Sequence, residues 1–177
     1  MLDKLIKLNL RDIWKDEAQD FTPWLASEDN LNLLGETLRM ELELKAREQN
    51  VGPFSADILC TNKDDGSLVL IENQLDKTDH KHLGQLMTYA AGLDTVSIIW
   101  ISKEFTDEHR AALDWLNEIT NIEFRFFGLE IELWKIGDSS PAPKFNIVCK
   151  LNDWSRNIKK ITEISLIVYY NLLNLFS

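Results

Sequence analysis

Two short apolar segments joined by a polar turn hold most of the structural information in this chain: Phe54-Ser-Ala-Asp57-Ile-Leu-Cys60 and Leu68-Val-Leu-Ile-Glu72-Asn-Gln74. The turn contains Asp65-Gly66, a step typical of hairpins between two β-like runs. Each segment carries a carboxylate where its hydrophobic neighbours predict a buried strand. Centring the turn on Asp65 and Gly66 predicts an antiparallel pair in which Asp57 lies opposite Gln74.

The polar side chains of this hairpin are predicted to converge on one patch. Side chains alternate between the two faces of a strand, so Glu72 and Gln74 share a face with Asp57 across from them. Glu72 is then a diagonal neighbour of Asp57, about 7–8 Å away at the backbone. Two carboxylates at that spacing can close around one Mg²⁺, which prefers oxygen ligands. The alternative is that both carboxylates mark strand ends that reach solvent, and the hairpin alone leaves this open.

Composition favours one folded domain. The chain has 177 residues, of which 45% are hydrophobic, and this excludes a disordered protein. Its net charge of −10 argues against a broad basic surface for non-specific nucleic-acid binding, although a local basic groove remains open. Cys60 and Cys149 form no C-x-x-C pair, which favours reduced thiols in a cytoplasmic protein. No signal peptide or membrane span is recognisable in the sequence.

Periodicity predicts an α/β order along the chain. Residues 1–26 look irregular apart from a short helical turn at Thr22-Pro23. The elements predicted after that turn are a helix from Ser27 to near Arg39, a strand over Glu41–Ala46, the two hairpin strands, a helix from Thr78-Asp79 to near Gly92, a buried strand over Val96–Ile101, a helix capped by Thr106, two strands (Ile122–Phe126 and Leu129–Ile136) about Gly128, and a strand over Phe145–Cys149.

These elements predict a single α/β domain over residues 1–156, with its core at about 27–136. Residues 152–156 are expected to form a loop. Residues 157–177 are interpreted as a C-terminal tail for which a helix is one option, because the apolar residues there cluster without clean periodicity.

The order helix, three strands, helix, strand, with Asp57, fourteen residues and then Glu72-Asn73-Gln74, resembles the PD-(D/E)XK restriction-endonuclease-like superfamily. The next predicted helix carries Gln85-Leu-Met-Thr-Tyr89, which looks like the Gln-x-x-x-Tyr element of RecB-like nucleases. More narrowly, phrases such as Val51-Gly-Pro-Phe-Ser-Ala-Asp57 and Leu86-Met-Thr-Tyr-Ala-Ala-Gly-Leu93 resemble a family of uncharacterised bacterial proteins, with similarity from about residue 12 to 156.

This resemblance implies a mixed central β-sheet flanked by α-helices, in the order αβββαβ with an additional helix and C-terminal strands. It implies that Asp57 and Glu72 bind Mg²⁺, for which Mn²⁺ can substitute, with the Asn73 backbone carbonyl as a third ligand. Such an ion would polarise a phosphodiester and lower the pKa of an attacking water. The implied partner is nucleic acid, expected to be DNA although RNA stays open, and nucleases of this superfamily that cut both strands often act as homodimers.

The chain departs from the superfamily pattern at the third motif position, which is usually Lys. Gln74 stands there, and an amide can orient a water but cannot accept its proton. Some nucleases of the superfamily carry Gln at this position. The alternative is a catalytically inactive nuclease-like module that binds nucleic acid or a protein partner.

Other candidate residues lie on the predicted helices. A superfamily acidic residue in the first helix would map to Glu28 or Glu36, and Glu36 lies opposite the leucine stripe. Gln85 and Tyr89, with His82 beside them, either face the metal site or form the polar flank of an amphipathic helix.

No histidine is assigned to the metal site. His80 and His82 would point in different directions on a helix, which argues against a histidine metal site. His109, in the first turn of a helix, is expected to face solvent.

Overall fold

The computed structural model describes residues 2–151, 160–162, 164–169 and 172, and seven strands make up its sheet. The strands are β1 (Leu5–Leu8), β2 (Leu42–Val51), β3 (Phe54–Asn62), β4 (Leu68–Asn73), β5 (Ser97–Ser102), β6 (Arg125–Ile136) and β7 (Ala142–Cys149). The helices are α1 (Leu10–Ile13), α2 (Thr22–Leu25), α3 (Glu28–Leu38), α4 (His80–Leu93) and α5 (Asp107–Ile119), with a π-helical turn over Glu17–Phe21.

The sheet is mixed, in the order β1-β6-β5-β4-β3-β2, and β7 also pairs with β6. Its centre, β4-β5-β6, is parallel, whereas β2, β3, β1 and β7 all pair antiparallel. Helices cover both faces, so the predicted fold class is confirmed: a mixed central sheet flanked by helices, with α3, three strands, α4 and β5 in the predicted order.

Alternation along the central strands divides the core into two layers. Ile71 and Ile99 pack with α3 and the N-terminal helical segment, in a layer that includes Phe21 and Leu34. Leu70 packs on the other face with α4 and α5, in a layer that includes Trp100, Leu86 and Leu113. Because both faces are covered, β4 and β5 are almost entirely buried. The helix α4, which follows β4 in the chain, packs over the end of that strand.

The predicted register of the hairpin is wrong. The observed pairs are Ile58 with Ile71 and Leu59 with Leu70, and one further step places Asp57 opposite Glu72, not Gln74. The loop holds four residues, 63–66, because the Asn62 amide donates to the Ser67 carbonyl at 2.9 Å. Gly66, with φ of 75°, is the last residue of this loop, so the turn is centred one residue earlier than the Asp-Gly step suggests.

Of the first strand predicted about Gly128, residues 122–124 lie outside any strand, and its last two residues run on with the second predicted strand as one strand, β6. Gly128 lies inside it, level with Trp100 of β5 and Cys149 of β7. A Cβ built there would lie 3.0 Å from the ring of Phe105 and 3.2 Å from Leu113. The absence of a side chain at Gly128 therefore lets Phe105 and Leu113 pack against β6. The interpretation of this glycine as a turn residue is wrong.

Residues 2–26 are more ordered than predicted. Leu5–Leu8 forms β1 against β6, and three short helical segments follow it, of which α2 confirms the turn expected at Thr22-Pro23. Their aromatic rings pack closely, with centroids 4.7 Å apart for Trp14 and Phe21 and 4.5 Å apart for Trp14 and Trp24. Elements of four or five residues are too short for periodicity to reveal.

Most other elements match their predictions within a few residues, although β2 extends to Val51. Cys60 and Cys149 are free and buried. Residues 160–162, 164–169 and 172 are helical, but the loop predicted at 152–156 and the boundary near 156 lie outside the described residues, so the division into domain and tail stays a prediction. Among the described residues no helix is long and apolar enough to cross a membrane.

Replacement of Gly35 by alanine should destabilise the fold. The added Cβ would lie 2.5 Å from the backbone oxygen of Met40, just past the end of α3, and overpacking of this kind costs about 1–3 kcal/mol. Gly84→Ala is the matched control, because nothing lies within 4 Å of a Cβ there and alanine favours a helix by about 0.5–1 kcal/mol over glycine. Urea unfolding should show opposite signs for the two variants; equal changes would contradict the close contact.

Candidate functional site

Asp57 and Glu72 lie where β3 and β4 stop pairing. The backbone ladder between these strands ends at Ile58 and Ile71. Beyond it, the Asp57 amide donates to Glu72 Oε1 at 3.3 Å, and the Asn73 amide donates to Asp57 Oδ2 at 2.9 Å. Each carboxylate thus accepts a backbone N–H from the opposite strand, and together they line a notch between the ends of β3 and β4.

Both carboxylates are short of compensating charge. Glu72 is 2% exposed and Asp57 is half-buried. Burial raises the pKa of both carboxyls, and the neighbouring charge of Asp57 raises the pKa of Glu72 further. Neither has a lysine or arginine partner among the described residues. In the absence of a cation, such a pair favours holding a proton, whereas a bound divalent cation would favour both charges.

A third oxygen points into the same notch. The Gln74 amide donates to the Ile101 carbonyl of β5 at 2.9 Å, and no peptide bond among the described residues is cis. In a trans peptide the preceding carbonyl points the opposite way. The Asn73 carbonyl is therefore directed away from β5, toward the side occupied by Asp57. The Asn73 side chain is engaged elsewhere, since it donates to Thr22 Oγ1 at 3.0 Å.

Gln74 is buried and its amide is already bonded. Its Oε1 accepts from Trp100 Nε1 at 2.9 Å, and its Nε2 donates to the Lys77 carbonyl at 2.8 Å and lies 3.5 Å from Asp79 Oδ2. These contacts tie the end of β4 to the segment that leads into α4. The predicted role of Gln74 in orienting a water would require this network to open.

The structure does not bring Glu28 or Glu36 to the carboxylate pair. Both are exposed on α3. Glu36 borders a surface cavity with Asp64 of the hairpin loop, at the opposite end of β3 from Asp57, and Glu28 borders another with Leu44 and Lys63. The acidic residue predicted in the first helix is therefore not part of the site.

Two other carboxylates lie closer to Asp57. The register places Glu48 of β2 opposite Asp57, and both Glu48 and Glu17 add to the rise in the pKa of Asp57 that burial causes. Glu48 has a φ of 49°, which places a non-glycine residue in the left-handed region. Sequence reasoning missed both residues, because a charged residue on an exposed strand or in a short helical turn gives no signal of what lies opposite it.

Among the described residues, no group of three or more His, Cys, Asp and Glu side chains has the arrangement of a metal site. The notch offers two carboxylates and one carbonyl instead. This set fits Mg²⁺, which keeps several waters and is usually held by one or two carboxylates.

The Gln-x-x-x-Tyr residues of α4 lie beside the carboxylate pair. Gln85 Nε2 donates to the Tyr89 hydroxyl at 3.0 Å, and Tyr89 is buried. Burial raises the pKa of Tyr89, and the charges of Glu72 and Asp57 raise it further. The phenol is therefore near enough to interact electrostatically with both carboxylates, and it stays protonated at neutral pH.

The expectation that His109 faces solvent is wrong. His109 is 5% exposed, and its Nδ1 lies 2.9 Å from both Thr78 Oγ1 and Thr106 Oγ1, while its Nε2 lies 2.9 Å from His80 Nδ1. The N-termini of α4 and α5 meet at this cluster. His82, on the same helix as His80, instead pairs with Asp79, with 2.8 Å between Nδ1 and Oδ2.

Comparison with known proteins gives two structural likenesses. No protein-family model matches the chain, and no curated protein matches it. A repair endonuclease from Pyrococcus abyssi is similar over 50% of this chain and 43% of its own, with 23% identity and a TM-score of 0.41. An EndoMS–dsDNA2 complex is similar over 59% of this chain and 45% of its own, with 23% identity and a TM-score of 0.42. The matched regions span less than half of each of these structures.

Without divalent cations, the protein should lose stability as the pH rises above about 4, the ordinary pKa of Asp and Glu side chains. Because the pKa values of Asp57 and Glu72 are raised in the fold, the folded state binds more protons than the unfolded state in that window, and the free energy of unfolding falls. Urea unfolding at about pH 5 and about pH 8 measures this fall. The fall should be smaller in Glu72→Gln, and an equal fall in both proteins would contradict the raised pKa.

At the higher pH, Glu72→Gln should be the more stable protein by about 0.5–2 kcal/mol. The amide oxygen can still accept the Asp57 N–H, but no charge is buried. Glu36→Gln is the control, since that carboxylate is exposed and its loss should change stability by less than about 0.5 kcal/mol. Destabilisation by Glu72→Gln would show that the charge of Glu72 is compensated within the fold.

Proposed function

We propose that this chain is a Mg²⁺-dependent nuclease that hydrolyses phosphodiester bonds, with Mn²⁺ able to replace Mg²⁺. The observation that carries the proposal is the cross-strand pair of half-buried Asp57 and buried Glu72, which has no lysine or arginine partner among the described residues. Two buried carboxylates side by side destabilise a fold unless a cation compensates them. A divalent ion in the notch supplies that compensation.

In this proposal the carboxylates of Asp57 and Glu72 and the carbonyl of Asn73 hold the ion. When bound, it would polarise the scissile phosphate and lower the pKa of an attacking water. The protein positions these oxygens through backbone hydrogen bonds rather than through flexible side-chain contacts. The substrate is proposed to be DNA because of the motif resemblance, and a homodimer would place one site on each strand of a duplex.

One observation favours the alternative of a non-catalytic nuclease-like module. The position usually held by the motif lysine is Gln74, which is buried and bonded to Trp100 and to the Lys77 carbonyl. A module of this kind would bind nucleic acid or a protein partner and leave phosphodiester bonds intact. Metal-dependent turnover separates it from the nuclease.

Cleavage of labelled DNA and RNA, single-stranded and duplex, tests the proposal with the natural chain and Asp57→Asn. The natural chain should cut in Mg²⁺ or Mn²⁺ and not in EDTA. Asp57→Asn should lower the cleavage rate by more than roughly 10–100-fold, which is the typical loss when a residue that contacts only the metal ligands is replaced. Glu36→Gln is the matched control and should cut at the natural rate. Glu36, on α3, lies beside the hairpin loop, at the end of β3 that is far from Asp57.

Three results would count against the nuclease. Cutting that persists in EDTA would remove the metal from the proposal. Equal cutting by Asp57→Asn would remove the carboxylate pair. Binding of nucleic acid by the folded natural chain without cutting, under all metal conditions, would establish the non-catalytic module instead.

Sedimentation on duplex DNA distinguishes one bound copy from two.

A further inference from the structure

We propose that His82, held by Asp79, accepts the proton of the water that attacks at the Asp57–Glu72 site. This inference rests on the proposed nuclease function and adds to it the identity of the general base. It is needed because the motif position that usually carries a lysine holds Gln74, whose amide cannot accept a proton.

Other groups around the carboxylate pair are poorly suited to this role. Asp57 and Glu72 face each other and are the proposed metal ligands. Tyr89 stays protonated, because burial and the two carboxylates raise its pKa, so it can donate a hydrogen bond but not take a proton. Glu48 accepts a hydrogen bond from Ser55 Oγ at 3.2 Å on exposed strand β2. Glu17, which also acts on Asp57, is paired with Arg11 at 3.3 Å. Among these described groups, His82 is the best suited to take a proton and release it to solvent.

Helical spacing places His82 on the side of α4 that faces the pair. Residues three and seven positions apart lie on one side of a helix, so His82 shares its side with Gln85 and Tyr89. Tyr89 is buried and senses both carboxylates. A positive charge on the His82 ring, as formed when it takes up a proton, would oppose the effect of burial on the pKa of Asp57, so the two side chains lie close enough to interact. His80 points elsewhere and contacts His109.

Asp79 fixes the orientation of the His82 ring. Asp79 Oδ1 accepts the His82 backbone N–H at 2.9 Å, and Asp79 Oδ2 lies 2.8 Å from His82 Nδ1. An ionised carboxylate can only accept, so Nδ1 carries a hydrogen, and in the neutral ring Nε2 is then the acceptor. The His82 side chain is 23% exposed, which lets water reach the ring.

Gln74 gains a role in this arrangement as a positioning residue. Its Nε2 lies 3.5 Å from Asp79 Oδ2, and its Oε1 is held by the indole of Trp100. The residue at the motif position therefore braces the Asp79–His82 pair instead of acting on water itself.

The proposed step balances without a further reactant. The water oxygen forms a bond to phosphorus while its proton passes to His82 Nε2. The bond from phosphorus to the leaving oxygen breaks, and that oxygen takes a proton from solvent. The histidine then returns its proton to bulk water, so the net reaction is hydrolysis of one phosphodiester.

His82→Ala tests the proposal directly. Loss of a general base should lower kcat by about 100-fold or more, with little change in KM or in Mg²⁺ affinity, and added imidazole should restore part of the lost rate. His80→Ala is the matched control, because it removes an imidazole from the same helical turn that points away from the site. It should cut at the natural rate once thermal melting confirms that it folds.

Asp79→Asn separates orientation from helix capping. Asparagine caps a helix about as well as aspartate, so the stability of the protein should change little. The neutral amide, however, no longer offers His82 Nδ1–H a charged acceptor. We expect kcat to fall in the same direction as for His82→Ala. Long-range ¹H–¹⁵N spectra of the histidine rings provide a readout without turnover: His82 should be the Nδ1–H form in the natural chain and a tautomer mixture in Asp79→Asn.

The outcomes distinguish this inference from the proposed function. If the natural chain cuts and His82→Ala cuts equally well, the general base is overturned and the nuclease stands. If His82→Ala is inactive but imidazole fails to restore any rate, or its Mg²⁺ affinity collapses, His82 acts through structure or metal binding and the inference is wrong. If the natural chain cuts nothing, the nuclease proposal fails and the inference fails with it.

Discussion

The site depends on a single irregularity, the point where the hydrogen-bond ladder of β3 and β4 gives way to side chains. Asp57 and Glu72 accept the backbone N–H groups that an ordinary strand pair would satisfy with carbonyls. This exchange places two carboxylates side by side and directs the carbonyl of Asn73 toward them. It also holds them in a buried setting that raises both pKa values. A fold keeps such a pair at a cost in stability, and a bound cation would offset that cost.

The rest of the structure positions this point. β4 and β5 are parallel and covered on both faces, so the end of β4 emerges from a rigid core between two helical layers. Ligands in open α/β sheets bind outside the carboxyl ends of the strands, and the notch lies at such an end. The segment after β4 is tied down by Gln74 and Trp100, and this contact carries α4 back over the site with His82, Gln85 and Tyr89 on one side.

Much of this arrangement could be predicted from the sequence, because it depends on local patterns. The apolar runs of β3 to β5, the Ser27 and Thr106 helix starts and the proximity of Asp57 to Glu72 all follow from composition and spacing. The register did not follow, because Gly66 takes the last position of a four-residue loop and a shift of one residue in the turn centre exchanges Gln74 for Glu72.

Residues whose surroundings come from distant parts of the chain could not be predicted. Gly128 resembles a turn residue until Phe105 and Leu113 are seen to pack over it. His109 resembles an exposed residue of a first helical turn until Thr78 and His80 are brought against it. Glu36 fits a superfamily position in sequence, but the length and direction of α3 carry it to the hairpin loop. The engagement of Gln74 by Trp100 depends on the parallel pairing of β4 and β5, which no local pattern contains.

A calorimetric titration of the metal-free protein with Mn²⁺ tests whether the Asp57–Glu72 pair holds a divalent cation. We expect one ion bound per chain, release of protons on binding because the ion lowers the raised carboxyl pKa values, and loss of the binding signal in Asp57→Asn. Absence of binding by the natural chain, or binding that Asp57→Asn leaves unchanged, would contradict this expectation.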